Sequence, residues 1–176
     1  MHVKTKMIAV GGVCLALAMV LIFVGSTIEV GSFAPICLAA FTIGIVTLGG
    51  GLGIGGAYLA ASILLGVLII PNKLHIITFG LLEGYLFLRE CIYDMIIKKR
   101  NMGSKAYLLM KLAAYVLMVT IPAAIFPALV YEGEMTLALR IGIPVAALIF
   151  FVVLDTAYDR FMQYLCNTRI IKDLKD

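Results

Sequence analysis

The sequence predicts an all-α integral membrane protein, a bundle of six transmembrane helices with both termini in the cytoplasm. Three observations predict it. Hydrophobic residues make up 63% of the 176 positions and charged residues only 14%, with a mean hydropathy of +1.11; soluble domains run at roughly half apolar and a quarter charged. The apolar residues fall in runs near the roughly 20 that a helix needs to cross a hydrocarbon core about 30 Å thick. The basic residues sit in short clusters beside those runs, as cytoplasmic flanks do.

The elements follow in order as one transmembrane domain, 1–176. Span one covers 7–25, and the segment from Ser26 to Phe33, with Glu29 and Gly31, reads as an external loop. Lys4 and Lys6 precede an apolar run with no small-residue cleavage site behind it, so the first helix is expected to be retained. Span two covers 34–48, with Pro35 suited to a first turn where its missing N–H has no partner anyway. The uncharged cluster Gly49, Gly50, Gly51, Gly53, Gly55 and Gly56 breaks helix propensity and predicts a tight inner turn. Span three, 54–70, stops at Pro71, because proline disfavours a helical residue before it.

Pro71, Asn72 and Lys73 form a short outer turn before span four, 74–97, which exits into Lys98, Lys99, Arg100 and Lys105. Span five, 106–130, is interrupted by Pro122 and Pro127. Span six, 135–165, is longer than a bilayer requires. An inside amino terminus collects Lys4, Lys6, Lys98 to Arg100, Lys105, Arg169, Lys172 and Lys175 on the cytoplasmic face, leaving Lys73 and Arg140 near the outer one. An odd number of spans would strand one of the terminal clusters outside.

This layout excludes several classes of function. No polar stretch is long enough for a soluble domain, and the net charge of +4 is spent on topology, so no nucleic-acid site is read. The four cysteines stand singly, without metal-site spacing or disulfide density. No H-E-x-x-H, G-x-S-x-G or Walker lysine occurs, and with only His2 and His75 no catalytic residue, metal or cofactor is expected.

Polar residues at depth are the candidates for function, since ionisable groups in the bilayer are costly and face a cavity, a partner or each other. Glu83 lies about 14 Å into span four at helical rise, and shares a face with Phe87, Glu90 and Asp94. It is either a ligand contact or the buried partner of Arg140 or Arg89. Glu90, Asp94, Asp155, Asp159 and Arg160 read as interfacial residues making ion pairs or snorkelling. His75 and Thr78, one turn apart behind the outer turn, are placed to cap a ligand site or to serve as boundary residues. Tyr85, Tyr115 and Tyr131 suit stacking or anchoring. Small residues recur four apart at Gly12 and Ala16, Cys14 and Ala18, and through the glycine cluster. That pattern brings helices into close contact, either within the bundle or on a partner.

The stretch Ile8 to Leu21 and the alanine- and glycine-rich hairpin from Ala39 to Ile70 resemble the substrate-binding S components of energy-coupling factor (ECF) vitamin transporters, in size and span number as well. The resemblance implies a protein that captures a vitamin or similar small micronutrient from outside, sits in lipid of a prokaryotic cytoplasmic membrane, and docks on a transmembrane coupling protein driven by two ATPases. It implies docking through Gly12, Ala16 and Ala18, although the family's motif uses alanines where this chain has Gly12 and Cys14. It implies ligand contacts from Glu29, Asn72, Lys73, His75, Glu83 and Arg140. The rival expectation is a membrane scaffold similar to the MreD-type rod-shape family, with the deep charges paired internally. A lone proton-coupled carrier fits less well, for want of broken helices in matching halves.

Overall fold

The computed structural model describes residues 2–27, 33–99, 104–126 and 137–167, and all its regular structure is helical. Helix α1 spans His2–Thr27, α2 Phe33–Ile69, α3 Lys73–Tyr93, α4 Ser104–Tyr115, α5 Ile121–Ile125 and α6 Leu137–Asn167. Wider π-helical turns at Asp94–Lys99 and Val116–Thr120 extend α3 and join α4 to α5. Three helical stretches, Thr5–Thr27, Phe33–Ile69 and Lys105–Ile125, are long and apolar enough to cross a membrane. Their outward faces fit lipid: Val13, Leu64, Leu68, Leu109, Leu117 and Ile149 are all well exposed. A water-soluble monomer rarely carries so much contiguous apolar surface.

Although α2 is continuous in hydrogen bonding, it cannot be a straight rod. Thr42 Oγ1 lies 2.7 Å from Tyr58 OH, yet sixteen residues of straight helix would separate them by about 24 Å. The chain reverses at Gly51, whose φ of 78° and ψ of 174° are non-helical, a region essentially reserved for glycine. The reversal falls inside the glycine cluster where the sequence places its turn, but it consumes a single residue. The two limbs, 33–50 and 52–69, therefore stay helical almost to the tip.

The first limb is the axis of the bundle. Ile36, Ala39, Ala40, Ile43 and Val46 are buried along it, and so are Phe41, Thr42 and Gly44 on its other sides. Helix α1 packs against it through small residues, with Gly11 near Val46 and Gly49 against Met7. Helix α6 approaches from another side, where Phe41 meets the Tyr158 ring edge-on at 5.3 Å and Gly44 leaves room for that tyrosine. The second limb lies along α3, where Gly66 admits Ile76.

Local chemistry explains the joints. Asn72 caps α3, its Oδ1 accepting from Leu74 N at 3.0 Å, a first-turn donor with no partner inside the helix. Lys73 Nζ turns back to donate to the carbonyls of Val67 and Ile70 at 2.6 and 2.9 Å, closing the end of α2 with a cation where the helix dipole is negative. The widened turn at Val116–Thr120 precedes Pro122, whose ring collides with the carbonyl four residues earlier, at Met118, and which offers it no N–H. Helix α5 ends at Ile125, just before Pro127, and the rest of the expected fifth span lies outside the described residues.

Candidate functional site

Two polar centres interrupt the apolar bundle, both reached from α3. The first is Glu83, midway along the helix and fully buried. Ser62 Oγ, on the second limb of α2, lies 2.6 Å from Glu83 Oε2 and 2.9 Å from the Leu59 carbonyl. A hydroxyl has one proton to give between those two acceptors. Glu83 Oε1 has no hydrogen-bond partner. Close by on the same hairpin, Tyr58 OH donates to Thr42 Oγ1, which in turn donates to the Ala39 carbonyl at 2.6 Å. Glu83 thus sits against a hairpin that offers hydroxyls and no cation, with half its accepting capacity unused.

The second centre lies further along α3 and ties it to α4 and α6. Arg89, 4% exposed, sets Nε 3.5 Å from Asp155 Oδ1 and Nη2 on Asp159 Oδ1. Its Nε also donates to Tyr107 OH at 3.3 Å, and its guanidinium carbon stands 4.4 Å over the Tyr158 ring, a cation–π geometry. Lys111 of α4 reaches the other oxygen of Asp155 at 2.5 Å. Tyr158 OH donates to Glu90 Oε1 at 3.1 Å. Two cations and two carboxylates from three helices therefore balance one another in a site largely withdrawn from solvent, which such charges tolerate only when mutually paired. Tyr85, Tyr115 and Phe151 stack beneath this network, and Tyr115 OH donates to the Ala147 carbonyl at 2.7 Å. Beside Arg89 a cavity of about 480 Å³ opens at the end of the bundle where α3 finishes and α4 begins.

The residues expected at the outer mouth divide. Asn72 and Lys73 are engaged in closing the α2–α3 joint. His75 is half-buried and its Nδ1 has no hydrogen-bond partner, while Thr78 donates to the Leu74 carbonyl. Glu29 and Tyr131 lie outside the described residues, as does the side chain of Arg140, whose backbone belongs to the first turn of α6. Of the two cations considered as partners of Glu83, Arg89 is committed to Asp155 and Asp159. Asp155 and Asp159 do form the ion pairs expected of them, whereas Arg160 is exposed.

On α1, Ala18 is buried inside the bundle and Gly12 and Ala16 are exposed, so the three residues expected to dock a partner do not share a face. Sequence reading passed over Lys111, Tyr107, Tyr158 and Ser62. Lys111 carried a signal, a lone lysine within an apolar run, to which the rule applied to Glu83 applies equally. Ser62 carried none, because an isolated serine is at home in any helix of this kind. Among the described residues no group of three or more potential metal ligands converges, and the cysteines are free thiols. No family model, no curated protein and no solved structure matches the chain, so its function is argued from these residues.

Proposed function

We propose that the chain is the substrate-binding component of an ECF-type importer, six-spanning with both ends in the cytoplasm of a prokaryote, capturing a vitamin or similar polar micronutrient from outside. Its partners are then membrane lipid, a transmembrane coupling protein and the ATPases that drive it. The observation that carries the reading is the unpaired Oε1 of Glu83. A buried acceptor without a partner costs about 1–3 kcal/mol, and a bound ligand bringing an N–H or O–H to it relieves that cost. The reversal of α2 at Gly51 supports the six-span count, since it yields two antiparallel rods from one apolar stretch. In this reading Arg140 supplies the opposite charge for a zwitterionic or polar-ring ligand, with His75 and Glu29 at the mouth.

A thermal-shift screen of the detergent-purified protein against a vitamin panel tests the reading directly. A ligand at a hundred times its Kd stabilises by about 2.7 kcal/mol. Glu83→Gln is expected to weaken that response by about tenfold or more, as loss of a charge-assisted hydrogen bond does, and Glu132→Gln to leave it intact. Equal effects of the two substitutions remove Glu83 from the site. Reporter fusions at both termini should place them on the same face.

The balanced pairing of Arg89 and Lys111 with Asp155 and Asp159 favours a second reading, a membrane scaffold of the MreD-like kind in which deep charges hold helices together. Silence across the whole panel, with co-purification of cell-envelope proteins, would decide for the scaffold.

A further inference from the structure

The cavity beside Arg89 takes no part in either reading. Its volume of about 480 Å³ falls within the roughly 300–1,000 Å³ of small-molecule sites. Arg89, Glu90, Tyr93, Tyr107, Asp159 and Met162 contribute to its wall. The arginine is not available to a ligand, because Nε and Nη2 are engaged by Tyr107, Asp155 and Asp159, the Tyr158 ring covers its face, and Nη1 is sealed from solvent. What the cavity offers is therefore anionic and aromatic. Glu90 and Tyr93, three residues apart, share a face of α3, and the Glu90 carboxylate is held in place by the hydroxyl of Tyr158. The Tyr93 and Tyr107 rings meet edge to face at 5.8 Å, and the Asp159 side chain is half-exposed. Counting one positive charge on Arg89 against Glu90 and Asp159 leaves the wall with a formal charge of −1.

We infer that this cavity binds a small organic cation, a primary or quaternary ammonium, held by the carboxylates of Glu90 and Asp159 against the faces of Tyr93 and Tyr107. An ammonium gains from both the ring quadrupole and the carboxylates. An anion meets two carboxylates, and an uncharged ligand leaves the wall unbalanced. The site is independent of Glu83, which lies six residues or about 9 Å back along the helix, and it does not depend on which side of the membrane the cavity faces.

The test uses the full chain in an uncharged detergent, titrated with tetramethylammonium, choline and benzylammonium chlorides, with sodium benzoate and sodium chloride at matched ionic strength as controls. At least one cation should raise the melting temperature saturably where sodium chloride and benzoate do not. Tyr93→Leu and Glu90→Gln should each weaken that cation about 3- to 30-fold, the range of a desolvated cation–π or charge contact. Ser26→Ala, at the other end of the bundle, should leave it unchanged. Glutamine still accepts from Tyr158, and Tyr93 is partly exposed, so neither substitution removes a core contact. No saturable response to any cation, an equal response to benzoate, or unaltered cation binding in both variants overturns the site. The parent titration decides the matter even if a variant fails to fold.

Discussion

The two halves of the bundle are held together differently. Between Met7 and Asn72 the only charged residue is Glu29, and α1 and the two limbs of α2 approach one another through small residues, Gly11 near Val46, Gly49 against Met7 and Gly55 against Thr47. Their buried polar contacts are hydroxyl to hydroxyl or hydroxyl to carbonyl. In α3, α4 and α6 the contacts are made by ion pairs and stacked tyrosines. Small residues set how near two helices come, because dispersion is the main attraction between apolar helices in lipid. They say little about sliding along the axis. An ion pair does the reverse: it fixes register, since its partners must meet within hydrogen-bonding distance, and tolerates a wider separation. Gly44 joins the two halves, its bare α-carbon leaving room for the tyrosine that also orients Glu90 and lies under Arg89.

If the second half depends on its charges, removing one should be the most damaging single change. Arg89→Met strands Asp155 and Asp159 against a neutral side chain, and breaking a buried pair in this way costs about 3–5 kcal/mol. Denaturation of the purified protein by increasing dodecyl sulfate fraction measures it. Asp155→Asn added to Arg89→Met should recover part of the loss, and strict additivity of the two would show that the pair is no unit. The first half should instead break at its turn. Gly51→Ala forces a side chain into a conformation it rarely adopts, at about 1–3 kcal/mol. Gly53→Ala, two residues on in helical backbone with open space around it, should gain up to about 1 kcal/mol from helix propensity. Equal effects at the two positions would mean that the reversal does not depend on glycine.

Periodicity and composition made the first half legible, since apolar runs, Pro35, the glycine cluster and Pro71 mark its elements one after another. The turn is shorter than the sequence suggests because only Gly51 needs the special conformation, and glycines in helical backbone look no different in the sequence. In the second half the sequence showed which groups are charged but not which ones meet. Arg89 and Asp159 are seventy residues apart, and their contact depends on the tilt of α6 across α3, which no local pattern encodes. Glu83 was legible as an anomaly from its depth alone. Its actual donor, Ser62, was not, because serine is compatible with every environment in these helices.

The smallest effect expected is also the one that separates packing from docking. The two small-residue pairs of α1 face opposite ways: Cys14 and Ala18 are buried among the hairpin's apolar residues, while Gly12 and Ala16 are exposed and nothing lies within 4 Å of a Cβ added at Gly12. Ala18→Leu should overpack the bundle and destabilise it by about 1–3 kcal/mol. Gly12→Leu should change stability by about 1 kcal/mol or less, on the favourable side, because leucine is the better helix former and has room. If a coupling protein docks on this face, uptake in cells should nevertheless fail with Gly12→Leu, since a leucine there holds the partner helix away from the backbone contact that small residues permit. Uptake that persists with Gly12→Leu but falls with Ala18→Leu in proportion to lost stability would show that α1 packs and does not dock.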